Sequence, residues 1–305
     1  MPVTKNIEFQ TRDGLTLRGQ LTLMDKPNAP LLIMLSPFGV TSAHLMNTQS
    51  KVFNDGGFAT LTYDPRTFGK SDGLPRQHIN FEKQSEDVFD AVTYATSLTP
   101  EVDATRIALL GGGHGGGIAI REAAVDPRVK ALILQVPGIS GAMDAQFYPP
   151  GLLERSRAAV TEFSEKSTRK QEYIQIFPAT AEEATANPPK VLLPGPPLFE
   201  FYKFLQTITD GEDIDWENKV TLESAYYNFI NEFQAYLPRV APTPLLYIVP
   251  SGGLPAEPHE EAYAAANEPK EFYKIEPFDF AGYMYGTADK TQKDVEVKFL
   301  QKYLM

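Results

Sequence analysis

The chain has 305 residues, of which 42% are hydrophobic, 22% charged and 11% aromatic, the make-up of a globular protein large enough for one sizeable core. Its formal net charge of −11 repels a phosphate backbone and argues against nucleic acid as a partner. With no cysteine, a disulfide framework, a thiolate nucleophile and a cysteine-based metal site are all excluded.

The opening stretch MPVTKNIEFQTRDG has neither a basic n-region nor an apolar h-region. Nowhere do roughly 18 apolar residues run together. A cytoplasmic protein without membrane contact is therefore expected. From Asn6 to Leu23 the alternation of polar and apolar residues predicts two strands, joined at the Arg12-Asp13-Gly14 turn. PLLIMLSP (30–37) reads as a buried strand, QSKVFNDGGF (49–58) as a helix closed by Gly56-Gly57, and FATLTYDPR (58–66) as the next strand. Phe81, Val88, Phe89, Val92 and Tyr94 recur at helical spacing over 80–98. Two more strands, RIALLG (106–111) and VKALILQVPG (129–138), flank a helix expected over 118–125. This alternation predicts an α/β fold with a mostly parallel sheet covered by helices on both faces.

The rhythm breaks at Pro137, and about a hundred residues pass before the next buried strand at 243–250. The prolines of ANPPKVLLPGPPLFEF (186–201) forbid one continuous helix, because proline lacks the amide donor and clashes with the preceding turn. Short helices around 150–165, 198–207 and 221–233 are expected instead. The chain thus divides into a first core part (1–138), a helical lid (139–240) and a second core part (241–305). That second part carries a helix at 257–266, a strand at 271–276 and a final amphipathic helix at 288–304.

The densest signal is LLGGGHGGGIAI (109–120), where a strand enters a helix through six glycines and one histidine. A nucleophile elbow needs such glycines, because strand and helix approach too closely for Cβ atoms. With RDGLTLRGQL (12–21), LSPFGV (35–40), TYDPRTFGKSDG (62–73), DPRVKALILQVP (126–137) and WENKVTLES (216–224), the chain resembles the α/β-hydrolase superfamily over nearly its whole length. It is most similar to the dienelactone hydrolase and X-Pro dipeptidyl-peptidase-like branch that includes fungal polyketide-tailoring proteins. The resemblance implies an eight-stranded α/β-hydrolase sheet with an inserted helical lid.

It also aligns Gly113 with the nucleophile, Gly253 with the acid in IVPSGGLPAEP (248–258), and Phe280 with the histidine in PFDFAGYMYG (277–286). On that alignment the serine hydrolase triad is lost. The oxyanion hole, built from backbone amides, falls to Phe38 and His114. An emptied, more apolar centre suits a cofactor-free cyclase, lyase or isomerase, a Diels-Alderase included, acting on an apolar polyketide-like molecule. Two alternatives stay open: a non-catalytic ligand-binding pseudo-hydrolase, and a residual hydrolase or acyltransferase that uses His114.

His114 is assigned to catalysis as acid, base or orienting donor, against the reading that it fills space. As a partly exposed loop histidine it should lower turnover more than stability when truncated. Asp279, beside the lost histidine position, is the other catalytic candidate. Gly113, Phe280, Gly253, Trp216, Tyr283 and His44 are assigned to substrate binding, with lid packing the alternative for Trp216 and aromatic core packing for Tyr283 and Tyr285. Asp64 and Arg66 are read as a structural turn and ion-pair network, and His78 and His259 as solvated residues in surface turns. Four scattered histidines without i,i+4 spacing predict no metal site. Gly111, Gly113 and Gly116 match G-x-G-x-x-G, but the next strand ends in Leu134-Gln135-Val136 without the acid that would hold a ribose, so no cofactor is expected.

Overall fold

The computed structural model describes residues 2–165, 171–186, 188–208, 214–252, 257–276 and 289–305. Strands β1 (Val3–Gln10) and β2 (Thr16–Leu23) form the expected hairpin, closed where Gly14 takes a φ of 89° and Thr11 donates its hydroxyl to Asp13. Then come β3 (Ala29–Leu35), α1 (Met46–Asp55), β4 (Ala59–Tyr63), α2 (Phe81–Thr96), β5 (Val102–Gly113), α3 (His114–Val125) and β6 (Val129–Pro137). Between β6 and the next strand of the main sheet lie α4 (Gly141–Ala145), α5 (Leu152–Glu165), β7 (Tyr173–Gln175), α6 (Ala181–Ala186), α7 (Pro196–Ile208), β8 (Lys219–Thr221) and α8 (Leu222–Phe229). The chain closes with β9 (Leu245–Pro250), α9 (Glu257–Ala265), β10 (Lys270–Ile275) and α10 (Asp289–Leu304).

The main sheet has eight strands in the order β1-β2-β4-β3-β5-β6-β9-β10. Only β2 runs against the others; every pair from β4 to β10 is parallel. Every residue of β3, β4 and β9 is buried; β3 and β9 read as continuous apolar runs for that reason, whereas β4 (ATLTY) also buries Thr60, which accepts from the Asn54 side chain, and Thr62, which donates to Asn47. Helices α1 and α10 pack together, as do α2 and α3, and α3 lies against β5 and β6. Helix α2 starts where the Asn80 side chain accepts the Lys83 amide. Phe89, counted with its apolar stripe, instead sits outside between the guanidiniums of Arg12 and Arg128, at 4.6 and 4.4 Å.

In the stretch 139–240 the described residues give no strand to this sheet, only helices and the antiparallel β7–β8 ribbon. Among the described residues, no helix is long and apolar enough to cross a membrane. Helix α3 begins at His114 rather than at 118, because the glycines of the elbow continue directly into its first turn.

Candidate functional site at the β5–α3 elbow

Strand β5 passes into α3 at Gly113, whose φ of 50° and ψ of −121° turn the backbone sharply. The neighbouring glycines are dictated by contact. A Cβ on Gly111 would lie 2.3 Å from the Gly115 carbonyl oxygen, and one on Gly115 only 2.7 Å from those of both Leu35 and Ser36. On Gly116 it would meet the Pro137 side chain at 2.7 Å. Gly113 differs: among the described residues the nearest atom to its Cβ would be Cβ of Pro37, at 4.0 Å. Among the described residues, nothing crowds the Cβ direction of the turn.

Beside the elbow lies a cavity of about 730 Å³. Its walls are largely apolar, with Phe38 and Met46 on the core side and Phe177, Leu198, Phe201 and Phe204 from the 139–240 stretch. Two polar groups interrupt them. On one side Asp144 of α4 neighbours Asn228 of α8, which in turn bonds the Tyr148 hydroxyl. Burial is the main cause that raises the Asp144 carboxyl to about 6, against a smaller lowering by Asn228. On the other side Gln135 of β6 and Gln292 and Lys293 of α10 donate to the buried carboxylate of Glu296, and Gln49 of α1 accepts from Lys293.

His114 and His44 also line the cavity. The His114 ring is wedged edge-on against Phe81, with centroids 4.1 Å apart, and Phe38, at 5.7 Å. Its Nε2–H donates to Gln84 Oε1 at 2.6 Å, leaving Nδ1 buried without a partner among the described residues. Burial lowers its pKa to about 3, so the ring is neutral at ordinary pH. In His44, Nδ1 accepts the Thr41 amide at 3.1 Å, which fixes the ring proton on Nε2, a buried donor with no partner among the described residues. Desolvation lowers this pKa to about 4.

The model of the X-Pro dipeptidyl-peptidase (S15 family) matches residues 14–218. The chain belongs to this family. A thiohydrolase from Arthrinium phaeospermum is 32% identical over 81% of this chain and 79% of its own length. A polyketide transferase from Penicillium sp. is 27% identical over 98% and 96%. Among solved structures, the α/β hydrolase GrgF from Penicillium sp. sh18 superposes with a TM-score of 0.81 at 24% identity, covering 99% of each chain. The fold is the α/β-hydrolase fold.

Of the residues the sequence assigned to this S15-family site, Gly113, His114, Phe38 and His44 come together at the elbow. Gly253, Asp279, Phe280, Tyr283 and Tyr285 lie outside the described residues. Several expectations are corrected. Trp216 is not among the described residues lining the cavity; it sits behind His44, with ring centroids 4.8 Å apart, and its indole N–H donates to the Gly39 carbonyl at 2.6 Å. The lone tryptophan thus clamps the loop after β3. His114 is not a partly exposed loop residue but the first residue of α3, only 8% exposed.

His78 and His259 are not solvated either. His78 is bonded to the Thr221 hydroxyl, and His259 to the Tyr247 hydroxyl; both distances are 2.8 Å. Burial lowers each pKa to about 4. Asp64 and Arg66 are structural, as read: Asp64 accepts from the amide and hydroxyl of Ser42 and from the Lys70 amide, while Arg66 pairs with Asp87 and Asp13. Sequence reasoning missed Asp144 and the Lys293 cluster altogether. The one local signal was the i,i+3 and i,i+4 spacing of Lys293 and Gln292 relative to Glu296, which an exposed helix face shows equally well.

Proposed function

We propose that the protein is a cofactor-free biosynthetic enzyme, a cyclase or isomerase, that folds an apolar polyketide-like acyl intermediate in a repurposed hydrolase cavity without forming an acyl-enzyme. The observation that carries this reading is Gly113. The elbow has the positive φ and the open Cβ direction that a nucleophile would occupy, yet bears no side chain. Covalent acyl transfer needs a nucleophile, a base and an orienting acid. The resemblance read from the sequence assigns those positions to Gly113, Gly253 and Phe280. Thiohydrolase and polyketide transferase relatives support an acyl-chain ligand, and an apolar cavity of about 730 Å³ suits one.

Positioning and polarisation remain as catalytic means. The first amides of α3 have no intrahelical acceptor, and the His114 amide opens that helix beside Phe38. Together the Phe38 and His114 amides hydrogen-bond a conjugated carbonyl oxygen. Holding the reacting carbons together in this cavity supplies effective molarity, worth about 7–11 kcal/mol in well-oriented cases. Asp144, with its carboxyl near 6, exchanges a proton in isomerisation.

The test is incubation with a conjugated β-keto polyene N-acetylcysteamine thioester, followed by mass spectrometry and a thiol assay. A product of unchanged mass and altered retention is expected, with thiol release at buffer background. Thiol release well above background, or stoichiometric labelling of a cavity residue by a fluorophosphonate, refutes the proposal. Saturable binding without any product identifies a ligand-binding protein instead.

A further inference from the structure

We infer that the cavity contains an anion subsite, built on Lys293 and abutting the elbow, that takes an ionised oxygen group, a carboxylate or enolate, on an otherwise apolar ligand. This rests on the reading that the cavity takes an apolar ligand, and it adds the polar chemistry that ligand must carry. Lys293 is the sole Lys or Arg among the described residues lining the cavity. Its side chain is 6% exposed. An ammonium has three donors. One goes to Glu296 Oε2 at 3.1 Å and another to Gln49 Oε1 at 3.0 Å; beyond these the ammonium has only the Phe53 ring, its centroid 5.5 Å away, and among the described residues no hydrogen-bond acceptor takes the third.

Glu296 is the organiser. Fully buried, and not itself among the lining residues, it accepts from Gln135 Nε2 at 2.6 Å and from Gln292 Nε2 at 2.8 Å, both through Oε1. Each of these amides has a second N–H. The carboxylate behind the wall therefore fixes two amides and one ammonium, all of which line the cavity, as a set of donors. Such a set matches an anionic oxygen rather than a hydroxyl or an alkyl chain.

Its place is also defined. Gln135 of β6 pairs in register with Gly112 of β5, one residue before the elbow. A Cβ on Gly112 would lie 3.7 Å from Gln135 Oε1. A 1,3-dicarbonyl ligand, whose two oxygens sit on the first and third carbons, can thus give one to the amides at the start of α3 and the other, ionised as the enolate, to the Lys293 side. A wall of packed apolar side chains would cost less to bury than this cluster. A purely structural role would leave the donors indifferent to ligand charge.

Titration calorimetry at pH 7.5 separates the two. Octanoate and octan-1-ol share the alkyl chain and differ in the charged head. The native protein is expected to bind octanoate at least about tenfold more tightly than octan-1-ol. In Lys293→Met that preference should vanish while octan-1-ol affinity is kept. Because the single change leaves Glu296 buried and unpaired, Lys293→Met/Glu296→Gln, which replaces both charges by neutral side chains of similar size, is measured beside it. Equal affinity for the two probes in the native protein, or an octanoate preference that survives in either folded variant, overturns the subsite and leaves the proposed function standing. Failure of both probes to bind overturns the apolar-cavity reading on which the subsite rests.

Discussion

One methyl group, added at two positions two residues apart, tests the elbow geometry. In Gly115→Ala the new Cβ sits 2.7 Å from two carbonyl oxygens at the end of β3, about 0.7 Å short of ordinary contact. Neither oxygen can rotate away, since both belong to backbone, so α3 must move off the sheet. The better helix propensity of alanine returns at most about 1 kcal/mol. A net loss above about 3 kcal/mol is expected, at the upper end for overpacking. In Gly113→Ala the new atom meets, among the described residues, only Pro37 Cβ at 4.0 Å, and the cost is the strain of a non-glycine residue at φ 50°, about 1–3 kcal/mol. Urea unfolding followed by far-ultraviolet circular dichroism reads both as midpoint shifts at constant slope. If Gly113→Ala shifts the midpoint as far as Gly115→Ala, the elbow does not open onto the cavity, and the argument from its missing side chain fails.

His114→Ala should cost about 2–4 kcal/mol, because it removes a ring packed against Phe38 and Phe81 and leaves Gln84 Oε1 without its donor. Unchanged stability would mean that the ring is not packed there. Glu122 gives a pH dependence. Burial, aided by the negative charge of Asp126, raises its carboxyl to about 8, while the unfolded chain ionises near 4.5. In the window between, the folded state holds one proton more than the unfolded state, so stability falls as pH rises, by about 1.4 kcal/mol per unit for this group. The four histidines, all with lowered pKa values, act below about 6.5 and in the opposite sense, losing stability as pH falls. Between pH 6.5 and 8 the slope should therefore flatten in Glu122→Gln, and an unchanged slope there refutes an un-ionised Glu122.

The sequence by itself determined the sheet, because strands buried on both faces such as β3 and β9 leave apolar runs and the hairpin can only turn where Asp13-Gly14 permits it. It also placed the elbow. Glycine at positions 111, 115 and 116 is a direct imprint of backbone meeting backbone, and no other residue leaves that mark. What it could not supply was the environment of polar side chains. His78 and His259 lie in stretches that read as surface turns, and only the packed chain shows Thr221 and Tyr247 waiting for them from 143 residues ahead and 12 behind. Trp216 was assigned to the cavity wall, yet its N–H goes to Gly39, a partner 177 residues away. The anion subsite is the extreme case. Gln49, Gln135 and Lys293 come from three elements that carry no common motif, and their shared function exists only because β6, α1 and α10 bring them around one buried carboxylate. Periodicity records which face of an element is covered; it carries no information on which distant polar group does the covering, and only the tertiary structure decides that.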